Sequence, residues 1–216
     1  MVDIAVFLIV LTCVAFAARL LHIHMGLGRD EGRFVQTALR LGLRQVPDLP
    51  AVMGRVGALL QPEGGDGAVL WKPGPAFALS VGRREAFLFE WSHPDARFRR
   101  AYVVLGPRAP HLLASPRRRF TILEEYEEPT GAIGFPEDPP FSRTFWVWGA
   151  DPVAIRLFLG PELRRFLLAY RRGWRFHAGP EGAALSRWGR TPPSEWPQMR
   201  AILERLAAVV EAAARR

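Results

Sequence analysis

The sequence predicts an α+β fold in which a single N-terminal transmembrane helix precedes a mainly antiparallel sheet and two longer C-terminal helices. Three observations lead to this prediction. The chain begins with a long uncharged apolar run, its middle alternates strand-like segments with Gly- and Pro-rich turns, and its last quarter carries apolar residues at helical spacing. We therefore divide it into an anchor at 1–27, a juxtamembrane helical connector at 28–65 and a soluble α+β domain at 66–216.

The N-terminal apolar run is long enough to cross a bilayer. Roughly 20 apolar residues span the hydrocarbon core, and the run that begins at Ile4 reaches this length if Arg19 extends its guanidinium to the headgroups. A cleaved signal peptide is the alternative, since Ala15-Phe16-Ala17 resembles a cleavage site. The segment before the run contains Asp3 and no basic residue, which favours the uncleaved anchor.

The basic residues indicate the orientation and the chemistry of the partners. The net charge is +8, and Lys72 is the only lysine. Because arginines follow the apolar run and none precedes it, we expect a single-pass protein of the bacterial inner membrane with its N-terminus outside and its domain in the cytoplasm. Anionic lipid headgroups suit this charge. The lipid-facing candidates are Arg19, Arg29, Arg33, Arg40 and Arg44. Cys13 is the only cysteine, which excludes an intramolecular disulfide and a Cys-based metal site.

The connector at 28–65 contains a basic amphipathic helix. Apolar residues from Phe34 to Leu43 recur at helical spacing with arginines between them. Such a helix either lies on anionic lipid or packs against the domain, and the sequence leaves both alternatives open.

Residues 66–128 predict an antiparallel strand meander. The segments 76–81 and 86–91 flank a four-residue turn and form a hairpin, and 102–105 and 119–123 add two further strands.

Residues 144–216 predict a strand, a helix, a hairpin and a second helix. The strand at 144–148 is followed by Asp151-Pro152, a cap with proline at the first helical position. A kink is expected at Gly160-Pro161. A hairpin follows at 174–188, and Ser194 is expected to cap the final helix.

The motif Phe145-x-Val147-x-Gly149-x-Asp151, followed by Arg156-x-Phe158-Leu159-x-Pro161-Glu162-Leu163, resembles uncharacterised bacterial membrane-anchored proteins of unknown function. The resemblance covers the C-terminal unit and has a looser counterpart in the meander. Its motif residues are turn, cap and core residues, so the resemblance implies a fold and membrane association and no activity.

No catalytic or metal-binding motif is present in the sequence. His93, His111 and His177 are scattered without a motif around them. His22 and His24, at the inner end of the anchor, are the only cofactor candidates, for a haem or chlorophyll-type pigment held by a partner subunit. Their spacing points them to different helix faces, so they cannot share one metal, and polar histidines at the headgroup interface are the alternative.

The strand at 144–148 carries the strongest partner-binding candidates. Trp146 and Trp148 project from one face and Phe145 and Val147 from the other, so the strand is either buried on both sides or covered by a partner. Tryptophan and arginine dominate binding hot spots. The candidates are Trp146, Trp148, Arg97, Arg99 and Arg100. Nucleic acid is disfavoured because no nucleic-acid-binding motif accompanies these arginines.

Together these features favour a non-enzymatic accessory or interaction subunit of a larger membrane protein complex, with other subunits and anionic lipid as partners. One alternative is an accessory subunit that contacts a pigment or haem cofactor through an anchor histidine. The other is a membrane-surface enzyme or anionic-ligand binder whose site combines dispersed residues such as Glu90, His93 and His177.

Overall fold

The computed structural model describes Val14 and residues 32–60, 72–92, 98–106, 108–117, 131–170, 173–189 and 192–216. The strands are β1 (Arg44–Gln45), β2 (Lys72–Val81), β3 (Arg84–Ser92), β4 (Phe98–Leu105), β5 (Leu112–Pro116), β6 (Phe145–Gly149), β7 (Trp174–Gly179) and β8 (Gly182–Trp188). The helices are α1 (32–40), α2 (Leu49–Leu60), α3 (Pro139–Thr144), α4 (Pro152–Phe158), α5 (Pro161–Ala169) and α6 (Met199–Ala214), with a 3-10 helix at Pro193–Gln198 before α6.

These strands form one eight-stranded sheet in the order β1-β2-β3-β4-β8-β7-β5-β6, and every neighbouring pair is antiparallel. The hairpin β2–β3 and the hairpin β7–β8 form as the sequence predicts, with Phe77 opposite Leu88 and Phe176 opposite Leu185. β8 pairs with β4, so the C-terminal hairpin continues the sheet that the first four strands begin.

The two faces of the sheet are covered unequally. On one face α6 packs over β2, β3 and β4 and is flanked by α4 and α5, and this side holds the main hydrophobic core. On the other face α2 contacts β7 and β8 over a smaller core. The smaller core consists of Leu59, Ala76, Phe87, Phe89, Ala101, Val103 and Ala184.

Helix α1 packs its apolar stripe against the main core. The Phe34 ring lies 5.6 Å from the Phe77 ring and 5.7 Å from the Trp196 ring, measured between centroids. Arg33 and Arg40 remain exposed on the opposite side of the helix. The apolar side of the helix therefore packs against the domain, which is one of the two alternatives that the sequence leaves open. A contact between the exposed arginines and lipid stays a prediction.

The structure corrects the part of the predicted fold class that includes an N-terminal transmembrane helix. In the described part of the chain no helix is long and apolar enough to cross a membrane. The longest, α6, has 16 residues, whereas roughly 20 are needed to span the hydrocarbon core. The predicted anchor at 1–27 lies outside the described residues apart from Val14. The structure is α+β with an antiparallel sheet and flanking helices.

The predicted meander is wrong after its third strand. The chain leaves β4 at Gly106 (φ +46°) and forms β5 at 112–116, a segment for which no strand was predicted. β5 pairs with β6 and β7, because β8 already occupies the free edge of β4. The strand predicted at 119–123 lies outside the described residues.

The cap predicted at Ser194 is also wrong. Ser194 lies inside the 3-10 helix, and α6 starts at Met199 after Gln198, whose side chain makes no capping hydrogen bond. Pro197 has no backbone N–H to donate to an α-helical bond, which delays the regular helix until after it. At Gly160-Pro161 the structure has a break between α4 and α5, where a kink was expected.

The cap predicted at Asp151 is confirmed and gives a testable stability effect. Its Oδ1 accepts hydrogen bonds from the backbone N–H groups of Val153 (3.0 Å) and Ala154 (2.9 Å). Asp151→Ala should lower the free energy of unfolding by about 0.5–2 kcal/mol in a denaturant titration, because two helix N–H groups lose their acceptor. Asp151→Ser keeps an acceptor and should remain close to wild type. Equal losses for both variants would contradict the capping role.

Candidate functional site

Trp146 and Trp148 lie on the sheet face away from α6 and are only partly buried. Their neighbours in β6, Phe145 and Val147, point the other way and are 3% and 1% exposed in the main core. In the β5–β6 register Ser115 is opposite Trp146 and Leu113 is opposite Trp148. We call the set Leu113, Ser115, Arg117, Trp146 and Trp148 the tryptophan face.

The tryptophan face stays partly open because α2 does not extend over it. Helix α2 contacts β7 and β8, and among the described residues the core beneath it includes no residue of β5 or β6. β6 is the last of the described strands in the sheet order, so none of them shields its outer side. The indole rings therefore keep solvent-accessible surface, although Phe145 and Val147 on the other face of the same strand are buried in the main core.

A cleft of about 290 Å³ adjoins the tryptophan face. Leu59 of α2 forms one wall, Leu113 and Trp148 form the other, and His111, His177 and Glu181 supply polar groups. His177 is 8% exposed, and its Nε2 lies 3.2 Å from the Ser186 hydroxyl. The described residues contain no group of three His, Cys, Asp or Glu side chains placed to hold a metal. The cleft is therefore suited to an apolar side chain that carries a polar end.

Arg117 places a positive charge on the tryptophan face. Its guanidinium carbon lies 3.5 Å from the centroid of the Trp146 ring, and the side chain is exposed. This cation–π contact holds the guanidinium over the indole while its N–H groups stay accessible. The face thus combines aromatic surface with a fixed cation.

A second concave site lies on the opposite side of the sheet, between β7, β8, α5 and the 3-10 helix. Its volume is about 490 Å³, and Tyr170, Trp174, Arg187 and Glu195 are among its lining residues. Arg100 lies beneath it at 0% exposure, with its Nη2 2.6 Å from Oε2 of Glu195. We call this site the basic pocket.

Glu195 bridges two guanidinium groups in the basic pocket. Its Oε2 binds Arg100, and its Oε1 lies 3.3 Å from Nη1 of Arg187. Both guanidinium groups also approach the Trp174 ring, at 4.9 Å for Arg100 and 5.9 Å for Arg187. Burial lowers the pKa of Arg100, and the attraction of Glu195 opposes that shift. Glu90, opposite Arg100 in the β3–β4 register, also attracts the Arg100 guanidinium, so two carboxylates face the two cations.

The Tyr102 hydroxyl is a buried donor at the base of this cluster. Among the described residues it has no hydrogen-bond partner, and its side chain is fully buried. Burial raises the pKa of Tyr102, against the opposing effect of Arg100. A buried hydroxyl without a partner costs about 1–3 kcal/mol.

The structure disperses most of the residues that the sequence singles out. Arg100 is buried in the basic pocket, and the side chain of Arg99 in β4 is not among those described. Arg33, Arg40 and Arg44 are exposed. The candidates that lie outside the described residues are Arg19, His22, His24, Arg29, His93 and Arg97.

Glu90 and His177, two of the residues considered for a dispersed catalytic site, lie on opposite faces of the sheet. Glu90 is opposite Arg100 in the β3–β4 register and shares the face that carries the main core. His177 is opposite Ala184, which belongs to the core under α2. The two side chains therefore do not meet in one cleft.

The sequence reasoning missed the basic pocket, although one signal for it is present. Strand alternation places Arg100 on the same face as Tyr102 and Val104, which predicts an inward-pointing arginine. A buried arginine requires a carboxylate partner. That partner, Glu195, is 95 residues further along the chain, and no local pattern identifies it.

Comparison with known proteins adds no assignment. No protein-family model matches the sequence, and searches of the curated proteins and of the solved structures found no match. The resemblance to bacterial membrane-anchored proteins stays a prediction.

Proposed function

We propose that the protein is a non-enzymatic interaction subunit that binds an acidic partner protein through the tryptophan face. The observation that carries the proposal is the pair Trp146 and Trp148, which keep accessible surface on a strand whose other side is firmly packed. Rigid aromatic side chains on an ordered scaffold bind with little loss of conformational entropy.

The adjoining cleft supports the choice of this face. Binding hot spots are aromatic or arginine side chains next to a pocket that a partner side chain fills. The cleft beside Trp148 has apolar walls, with His111 and Glu181 among its polar groups. One apolar side chain of the partner enters it, while the two indoles cover the surface around it.

Charge supports an acidic partner. Arg117 is exposed and held over Trp146, and the whole chain carries a net charge of +8. A guanidinium in this position forms a two-pronged hydrogen bond with a carboxylate of the partner. The same net charge accelerates the approach of an acidic protein.

The proposal contains no catalytic step. Glu90 and His177, the carboxylate and the imidazole considered for a dispersed site, are separated by the sheet. The tryptophan face offers apolar area, one cation and a cleft, which are the requirements of binding.

The test compares native assemblies of the full chain. Wild-type protein, Trp148→Ala and Arg117→Glu are produced in the native host, and the mass of each assembly is measured after gentle extraction. We expect wild type to migrate in a defined complex. Both variants should lose it, since a hot-spot residue contributes about 2 kcal/mol or more to binding.

Arg83→Glu is the matched control, because Arg83 is an exposed arginine in the β2–β3 turn, far from β6 along the sheet. It has the same change of charge as Arg117→Glu and should keep the complex. The proposal fails if wild type migrates alone, or if all three variants retain the assembly.

A further inference from the structure

The tryptophan face carries opposite charges at its two ends. Arg117 is exposed and lies over the Trp146 ring, whereas Glu181 is exposed and lines the cleft beside Trp148. Within the residues that the structure describes, neither of these charged side chains forms an ion pair. A partner that covers the face therefore meets a cation at one end and a carboxylate at the other.

Strand β5 sets the distance between the two ends. Leu113 and Ser115 share one face of β5 by strand alternation. Arg117 continues this row, because its backbone N–H donates to the carbonyl of Thr144 (2.8 Å) and so extends the pairing of β5 with β6. At about 3.3 Å per residue, Arg117 lies about 13 Å along the strand from Leu113, a wall of the cleft. A partner that contacts both ends needs two groups at about this separation.

Backbone hydrogen bonds hold the turn that carries Glu181. The carbonyl of Glu181 accepts a bond from the N–H of Gly106 (2.6 Å), and the carbonyl of Gly179 accepts one from the N–H of Ala109 (3.1 Å). The turn is thus fixed to the segment that follows β4. Since the backbone at Glu181 is already ordered, binding at this end of the face has a smaller entropy cost.

Two arginines lie near this turn without pairing with Glu181. A guanidinium nitrogen of Arg84 lies 3.0 Å from where a Cβ of Gly106 would be, and Arg108 is two residues further along the chain. Neither arginine forms an ion pair with Glu181 in the described part of the chain. Exposed charges that are not in contact attract each other only weakly in water. The cleft therefore retains a carboxylate that can accept a hydrogen bond.

This carboxylate selects the chemistry of the group that enters the cleft. An ionised carboxylate only accepts hydrogen bonds, so it repels a carboxylate of the partner and binds a hydroxyl or an N–H group. The apolar walls, Leu59 and Trp148, suit an aromatic ring. Tyrosine combines a ring with a hydroxyl donor and is enriched at interfaces. A lysine suits the cleft less well, because its ammonium group is strongly hydrated.

We propose that Glu181 selects a tyrosine of the partner. The tyrosine ring fills the cleft and its hydroxyl donates to Glu181, while an acidic residue of the same partner, about 13 Å away, pairs with Arg117. The inference rests on the proposed function and adds the orientation of the partner to it. The reverse orientation would place the acidic residue of the partner against Glu181.

The test measures how charge reversal at Glu181 changes the stability of the assembly. Full chains with Glu181→Arg, Glu181→Gln or Glu204→Arg are produced in the native host beside wild type and Arg117→Glu. After gentle extraction, mass photometry over a dilution series gives the dissociation constant of each assembly. Glu204→Arg is the matched control, because this exposed carboxylate belongs to α6, which covers the other face of the sheet.

We expect Glu181→Arg to raise the dissociation constant about tenfold, the effect of one hydrogen bond to a charged group. Glu181→Gln should raise it less, since its amide oxygen still accepts a hydrogen bond, and Glu204→Arg should not change it. An acidic partner that places no donor in the cleft should instead bind Glu181→Arg more tightly, because this variant adds positive charge to the face.

Two results overturn the inference: Glu181→Arg assembles at least as tightly as wild type, or Glu204→Arg weakens the assembly to the same extent as Glu181→Arg. In either case, loss of the assembly in Arg117→Glu would still support the proposed function. Wild-type protein that migrates alone would contradict the proposed function itself, and the present inference with it.

A crosslink identifies the group that enters the cleft. p-Benzoylphenylalanine replaces His111, an exposed residue that lines the cleft, and the native assembly is irradiated before its crosslinked peptides are sequenced by mass spectrometry. We expect the crosslinked partner peptide to contain a tyrosine and an acidic residue. A crosslinked partner peptide without a tyrosine would overturn the assignment.

Discussion

Replacing Glu195 with alanine should lower the free energy of unfolding by about 3–5 kcal/mol, the range for removing one partner of a buried ion pair. The Arg100 guanidinium is fully buried, and the Glu195 carboxylate lies 2.6 Å from it. Without that carboxylate the charge stays in a low-dielectric environment, where Glu90 attracts it only in part. Denaturant titration of the full chain measures the loss.

Two further variants serve as comparisons for Glu195→Ala. Glu204→Ala removes a carboxylate of α6 whose pair with Arg200 is exposed on both sides, so its cost should be about 0.5 kcal/mol. Replacing both partners, Arg100→Met with Glu195→Leu, should cost less than Glu195→Ala alone, because the buried guanidinium is removed together with its carboxylate. A loss for Glu195→Ala no greater than that for Glu204→Ala would show that the ion pair does not hold the 3-10 helix on the sheet.

Gly182→Ala should lower the free energy of unfolding by a similar amount, about 3–5 kcal/mol, because the added methyl group has no room. Gly182 begins β8 with φ +145°, and a Cβ there would overlap the carbonyl oxygen of Val104. Both atoms of this contact belong to the β4–β8 pairing, so relief requires a shift of one strand. The melting temperature and the denaturant midpoint should both fall.

Gly82 and Gly134 supply the controls for this prediction. Gly82 has φ +59° and open space where a Cβ would lie, so Gly82→Ala should cost only about 1–2 kcal/mol for the left-handed backbone. Gly134 also has open space and needs no left-handed conformation, and Gly134→Ala should be nearly neutral. If Gly182→Ala costs no more than Gly82→Ala, the close approach of β8 to β4 is not a constraint on the fold.

Local sequence patterns predicted the elements that local contacts determine. The hairpin β7–β8 joins adjacent segments through a short glycine-containing turn, and Asp151 caps the helix that starts at the next residue. In both cases the interacting groups are a few residues apart, so the pattern that specifies them is visible within one window of sequence.

The strand order could not be predicted in the same way. β4 pairs with β8, and β5 pairs with β6 and β7, across long separations in the chain. Strand alternation says which side chains share a face and says nothing about which strand lies beside which. Ser194 taken alone predicts a helix cap, whereas Pro197, three residues later, excludes a regular α-helical hydrogen bond at that point.

The two candidate sites also differ in how far the sequence predicts them. Alternation alone placed Trp146 and Trp148 on one face of their strand, and β6 has this geometry. That the face stays partly open depends on where α2 ends, which is a tertiary property. The basic pocket brings together residues from β4, β7, β8, α5 and the 3-10 helix, so its composition follows only from the folded sheet.

The measurement that tests the central claim most directly is hydroxyl-radical footprinting of the tryptophans, read by mass spectrometry. The full chain is oxidised once as isolated protein and once in the assembly extracted from its native cells. We predict that Trp146 and Trp148 are oxidised in the isolated chain and protected in the assembly, while the exposed Leu157 of α4 reacts equally in both. Equal oxidation of the two tryptophans in both states would contradict the proposal that this face binds the partner.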